Sequence, residues 1–521
     1  MCVGAMTADL IIYNGKCLDV VNENVWEWIA IKGSRILELG NGKDYYKHAD
    51  ATTELIDARG RSVLPGFIDS HFHLLQTAMN SGFLNLSSVR NYRELAESIS
   101  CYAESNPEKE IFCFRIDEAS LEEGRFPDRK FLDQITEDRV VWINNIDYQV
   151  SILNTYGMLY YKIPYRLQGM ELDENGVATG IFTGNANAAL RTNILNKYED
   201  RKRMNNVMKI MPELLKNGIT TINAMEGGYM YSNKDAAFVY ENQDSFPIDI
   251  ELFYQSQDLD KIEDLGLRRV GGSLYIDGTM GARTAALSFE YCDKPGEMGR
   301  LLFSQDEINE FVLKCYEKKL QLSLYTIGDR AIELVLRAHE YAMQKAGIRG
   351  LRHRLEHVEL ANKNQISRAE KMGIIFSMNP TYELYWGGCG KMYEDRLGEK
   401  YITTNKFREI LDSGVRICAG SDSDVCEMNP FLGVHAVVNH PVENNRGTLI
   451  EAIRMYTGDA AYAIFQEEEK GNLRVGMKAD VIILNTDLTK VSKEAIRNIK
   501  VDMTIKDGAV AFDRKGSGEV K

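Results

Sequence analysis

The feature that most constrains this chain is a repeated grammar in its central part. The run "ITTINAMEGG" follows the helix-patterned "NNVMKIMPELLKNG", "LQLSLYTIGD" precedes "RAIELVLRAHEYAMQKAG", and "GIIFSMNP" and "VRICAGSDSD" continue the series. Strand, loop and helix in alternation imply a parallel sheet, because parallel neighbours need a crossover connection rather than a hairpin. Over this length the economical closure is an α/β fold of the (β/α)8 TIM-barrel type.

The two ends of the chain read differently. "ADLIIYNGKCLDV", "VWEWIAIKGSRILELG" and "TELIDARGRSVL" at the start, and "ADVIILNTD" and "VDMTIKDGAVAFD" at the end, are short β-rich runs separated by turn signals. Chain termini often lie close together. The expected organisation is therefore a small composite β-sandwich built from residues 1–64 and 471–521 and a barrel over 65–470. The less regular stretch 87–203 is expected to be an insertion around the second barrel strand.

Bulk properties remove several classes of function. A net charge of −14 offers no basic stripe for phosphates, which argues against a nucleic-acid partner. Hydrophobic residues make up 44% and charged residues 26%, with no apolar run of about 18 residues, so no membrane span is expected. Nine cysteines without a CxxC pair suggest reduced, packed thiols. No export signal is visible at the N-terminus, which leaves the cytoplasm as the expected location.

The chemistry points first to "SVLPGFIDSHFHL". Side chains alternate in a strand, so Phe67, Asp69, His71 and His73 share one face, and two imidazoles about 7 Å apart along the backbone can converge on one ion. The inward face at the C-terminal strand ends is where barrels collect catalytic groups. A lone HxH pair is more often hydrogen-bonded structure than a metal floor, and spacing alone does not choose.

"PGFIDSHFHL", together with an upstream β segment and a downstream "GMKADVIIL", resembles the amidohydrolase superfamily. "GITTINAMEGG", "YIDGTMGARTAALSFEY", "TIGDRAIE", "RHRLEHVEL" and "CAGSDSDVCEMNP" follow in order, as in the group that includes N-substituted formamide deformylase. The resemblance covers nearly the whole chain. It implies that His71 and His73 bind metal, that His357 ends the sixth strand as a further ligand candidate, and that Asp422 is the aspartate of the eighth.

Three positions depart from the family pattern. Ser273 stands where a lysine bridges two metals, Tyr325 replaces the histidine of strand five, and Gln149 replaces a histidine of the second-strand region. One divalent ion, with zinc expected, held by His71, His73 and Asp422 is therefore favoured over two. Glu226, placed at the end of the predicted third strand, would with His357 complete or replace the missing second site; its bland alternative is a salt bridge or substrate contact.

His353 and His357 are four apart, but "RLEH" matches a strand end rather than a zinc-binding helix. His339, His435 and His440 lack ligand company and read as structural. Asp424 competes with Asp422, and the pattern "GSD" favours the latter.

The implied activity is hydrolysis of a non-peptide C–N bond in a small molecule such as an amide, formamide or cyclic amide. Water activated by the ion would attack while Asp422 shuttles the proton. Tyr325 or Arg283 would donate to the oxyanion, Asp277 and Arg283 would contact substrate near "DGTMGARTAAL", and Tyr382 and Trp386 would form an aromatic wall with Tyr385. Gln149 is a further substrate contact. Two alternatives stay open: a barrel that binds a small ligand without hydrolysis, and a metal-dependent isomerase or lyase. A homo-oligomer is compatible with all three.

Overall fold

The computed structural model describes residues 6–515 except 147, 165, 229 and 230, with the side chains of 119, 233 and 273 also outside the description. Eight parallel strands make one sheet. They are β1 (Phe67–Phe72), β2 (Ile219–Glu226), β3 (Asp249–Tyr254), β4 (Arg269–Tyr275), β5 (Gln321–Thr326), β6 (Arg354–His357), β7 (Ile375–Met378) and β8 (Ile417–Ala419). Their spatial order follows the chain, and a parallel bridge from Phe72 to Ser423 brings β1 to the stretch just past β8, so the barrel is nearly closed. The strands read as apolar runs because both faces are covered. β2, for example, is buried at every residue.

The helices between them carry their own stop and start signals. Gln305–Glu317 opens on a capping box formed by Ser304 and Glu307, and Lys363–Met372 on one formed by Asn362 and Gln365. Asp329–Ala346 ends where Gly347 turns to the left-handed region.

The pairing of β2 with β1 makes the strand ending at Glu226 the second of the barrel, not the third expected from its motif. The reason lies in the intervening segment, whose strands pair among themselves in a separate six-stranded sheet. The hairpin that contains Gln149 connects Val140–Asn145 to Val150–Leu153 in that sheet.

By internal contacts the chain divides into two compact units, one of residues 1–73, 211–225 and 242–521, the other of 74–210 and 226–241. The second unit has two apolar layers, one on each face of its sheet. Val140 and Trp142 belong to one cluster, Val141 and Ile143 to the other, as strand alternation requires.

In the first unit, the terminal strands form a four-stranded and a six-stranded sheet. Val481–Leu484 runs antiparallel to Ser62–Pro65, so strands from both ends of the chain share the larger sheet. Leu10, Ile12 and Ile29 meet Val63, Val481, Ile483 and Ile505 in one core, the interior of a small sandwich. The last hairpin turns on Asp507 and Gly508, with φ of 49° and 81°. A Cβ on Gly508 would lie 2.0 Å from the carbonyl oxygen of Gly33, so the position tolerates only glycine. The described cysteines are all free thiols. Among the described residues, no helix is long and apolar enough to cross a membrane.

Candidate metal centre

His71 is the penultimate residue of β1 and His73 lies just beyond it. Both are buried, with ring centroids 5.4 Å apart. His357 is the last residue of β6, and Asp422 follows β8 by three residues.

The backbone ties these ends together. The Asp422 amide donates to the His71 carbonyl at 2.9 Å, and the His73 amide to the Ser423 carbonyl at 3.1 Å. Asp69 accepts from the Ser421 amide at 3.0 Å. A Cβ on Gly420 would fall 2.4 Å from the His71 nitrogen, so the approach of the two strand ends depends on that glycine. His357 and Asp422 themselves sit at φ of 70° and 53°, a region costly for residues other than glycine and concentrated at functional sites.

The side chains converge. One ligand atom each from His71, His357 and Asp422 lies within 4.8 Å of the others. Asp422 Oδ1 is 3.4 Å from His71 Nε2 and 3.2 Å from His73 Nε2.

The outer nitrogens explain this presentation. His71 Nδ1 is 2.6 Å from Glu356 Oε2, His73 Nδ1 is 3.2 Å from the Met225 carbonyl, and His357 Nδ1 is 2.7 Å from the Asn379 amide oxygen. Each of those oxygens accepts, so each imidazole donates from Nδ1 and carries its lone pair on Nε2. His357 Nε2 and Asp422 Oδ1 are buried with no hydrogen-bond partner. Two imidazole lone pairs and a carboxylate oxygen within one ion's reach, with a third imidazole beside that oxygen, suit a divalent cation, and two buried atoms without a hydrogen bond are what such an ion would satisfy.

Burial alone would raise the Asp422 carboxyl, but His71, His73 and His357 outweigh it and hold the group well below the usual carboxylate range. Burial, reinforced by His71, pushes His357 down to about 4, so its ring is neutral near pH 7. Against the cost of burial, Arg354 and His71 keep Glu356 ionised.

Tyr382 donates its hydroxyl to Asp422 Oδ2. Its ring lies parallel to His357 with centroids 5.9 Å apart, and Trp386 packs on the Tyr382 ring at 4.5 Å. Tyr325 sets its ring edge-on to His357 at 4.5 Å, and its hydroxyl donates to the Gly278 carbonyl at 3.3 Å.

The other expected site residues have the following surroundings. Arg283 forms a two-point pair with Asp293, at 3.0 and 2.6 Å. Asp277 is buried and accepts from the amides of Ala286, Ile327 and Gly328, bracing the loops after β4 and β5. Glu226 and Gln149 belong to the second unit; Glu226 accepts from the Leu75 amide at 3.1 Å, and Gln149 is exposed. The backbone of Ser273 lies in β4.

Glu356, Arg354 and Asn379 escaped the reading of the sequence. A signal was present for two of them: positions 354 and 356 share one face of a fully buried strand and carry opposite charges. Adjacent residues of a strand should point opposite ways, yet Glu356 and His357 both reach His71, by hydrogen bond and by ring contact. The positive φ at His357 breaks the alternation.

Known proteins place the chain. The N-substituted formamide deformylase of Arthrobacter pascens is 24% identical over 544 residues, covering 98% of this chain and 99% of that one. A putative amidohydrolase of Bacillus subtilis, YtcJ, is 23% identical and covers 90% of this chain and 92% of its own. Among solved structures, an uncharacterized metal-dependent hydrolase from Pyrococcus furiosus superposes with a TM-score of 0.76 at 26% identity, over 92% of this chain and 100% of that one. The model of the amidohydrolase family matches residues 54–512, and with the barrel and its convergent histidines already in place, this chain belongs to that family.

Proposed function

We propose that the protein is a metal-dependent hydrolase cleaving a non-peptide C–N bond of a small amide, formamide or cyclic amide, with one zinc ion held by His71, His73, His357 and Asp422. The observation that carries this reading is the convergence of the His71, His357 and Asp422 ligand atoms, with His73 facing the same carboxylate oxygen, while His357 Nε2 and Asp422 Oδ1 make no hydrogen bond. The kinship with a formamide deformylase supports the choice of bond. When bound, a divalent ion supplies the Lewis acidity that makes hydroxide available near neutral pH.

The chain's own groups do the rest. Asp422, kept deprotonated by its histidine neighbours, takes the proton of the attacking water and returns it to the departing nitrogen. Tyr382 holds the far oxygen of that carboxylate in register. Tyr325 and Trp386 wall the histidine and tyrosine at its side, with Tyr325 anchored on Gly278. Arg283 is paired to Asp293 beyond β4.

The test is turnover of a panel of N-substituted formamides and cyclic amides in oxygen-18 water by zinc-loaded protein. Label in the carboxylate product is expected; a panel with no labelled product overturns the reading. One observation favours a second reading, a barrel that binds a small ligand without turnover: a phenol ring packs against His357 at residue 325, where the family pattern has a metal-binding histidine. Binding of panel members without any oxygen-18 incorporation would select it.

A further inference from the structure

We infer that Glu356, clamped by Arg354, is a positioning residue that decides which nitrogen of His71 faces the ion and how tightly that ion is held. The inference rests on the metal-centred reading above and goes past it, to side chains that touch neither the ion nor the substrate.

Both residues are fully buried inside the barrel. Glu356 Oε1 accepts from Arg354 Nε at 2.8 Å and from the hydroxyl of Ser323, while Oε2 accepts from Arg354 Nη2 at 3.0 Å and from His71 Nδ1 at 2.6 Å. Four donors around one carboxylate leave it a single role towards His71, that of acceptor. His71 must then be protonated at Nδ1, with the Nε2 lone pair aimed at Asp422 Oδ1. An anionic acceptor behind a ligating imidazole also raises the basicity of the ligating nitrogen.

Arg354 does a second job. The same Nη2 donates to the Ser70 carbonyl at 2.6 Å and to the Ser377 hydroxyl at 2.8 Å. One guanidinium on β6 therefore grips the backbone of β1 one residue before His71 and a side chain of β7. A buried ion pair gains little stability over apolar residues of equal volume, because desolvation offsets the attraction. What this pair contacts accounts for its presence: the backbone and the ring of a metal ligand.

The measurement is zinc affinity by chelator competition, on wild type, Glu356→Gln and Glu356→Asp, with melting of the metal-free proteins as a check on folding. Glu356→Gln removes the charge and lets its amide group face Nδ1. Glu356→Asp keeps the charge and the Arg354 pair but withdraws from His71 by one methylene. Outer partners of ligating histidines are worth about 10–100-fold in metal affinity, and a loss in that range is expected for both. A folded variant that holds zinc within fivefold of wild type overturns the inference.

Nitrogen-15 spectra of metal-free wild type give a readout that needs no variant. His71, assigned among the zinc-responsive histidines, should be protonated at Nδ1, and protonation at Nε2 overturns the inference even if both variants fail to fold. Zinc uptake without amide hydrolysis would sink the proposed function and leave this inference standing. A wild-type protein that takes up no zinc removes both.

Discussion

The hydroxyl of Tyr382 donates to Oδ2 of Asp422, while Oδ1 of the same carboxylate faces the Nε2 atoms of His71 and His73. The two oxygens are thereby divided between a fixed donor and the metal-binding side. A hydrogen bond to a charged group is worth roughly 1.5–3 kcal/mol. Tyr382→Phe should lower kcat by about 10- to 100-fold with little change in melting temperature. Steady-state kinetics on any panel substrate that turns over checks this.

Removal of ligands should separate binding from proton transfer. His71→Ala and His357→Ala are expected to lose bound zinc, read by metal analysis of the purified protein. Asp422→Asn should cut kcat at least 10²-fold, the lower end for loss of a general base, with circular dichroism unchanged. An Asp422→Asn protein at wild-type rate would contradict the proton-shuttle role.

A chelator should also lower the melting temperature. An ion that binds only the native state adds RT ln(1 + [L]/Kd) of stability, about 2.7 kcal/mol at a hundredfold excess over Kd. Scanning calorimetry with and without chelator, then with zinc restored, is expected to show a reversible shift.

Acid should weaken the fold through a second histidine pair. His339 and His353 are buried with rings 4.8 Å apart and both packed on Tyr316; burial holds His339 at about 3 and His353 well below its ordinary value. The folded protein thus binds fewer protons than the unfolded chain, so this stability is intact above about pH 6.5 and is lost as pH falls toward 3. Each group costs about 1.4 kcal/mol per pH unit in that window. His339→Gln, which removes the titration, should narrow the difference in melting temperature between pH 7.5 and pH 5.

Asp277 serves the frame of the site. Its carboxyl, pushed up to about 7 by burial, is restrained by three backbone amides that would lose their acceptor in Asp277→Ala. At about 1–3 kcal/mol for each unmet buried donor, a loss of roughly 3 kcal/mol or more is expected in denaturant unfolding.

Much of this molecule was legible along the chain. Alternating strand and helix patterns announce the barrel, and the helix from Asp329 ends at the glycine that its pattern marks. "SHFHL" announces two of the converging histidines, since period-2 alternation is local and survives any tertiary arrangement. Local pattern says nothing about strand partners, and the strand ending at Glu226 took second rather than third place in the barrel from pairing with β1. The strands flanking Gln149 pair with each other within the inserted segment.

The sequence by itself determined the strand and helix periods, the HxH spacing and the order of the motifs, because these depend on residues within a few positions of one another. The tertiary structure alone decided that Glu356 stands behind His71, 285 residues away, that Arg354 grips the carbonyl of Ser70, and that Tyr382 fastens Asp422. Closing the barrel converts positions on separate strands into neighbours, and in its dry interior most polar groups are held by such partners. Those contacts, invisible in any short window of the chain, bring His71 and His357 together with Asp422.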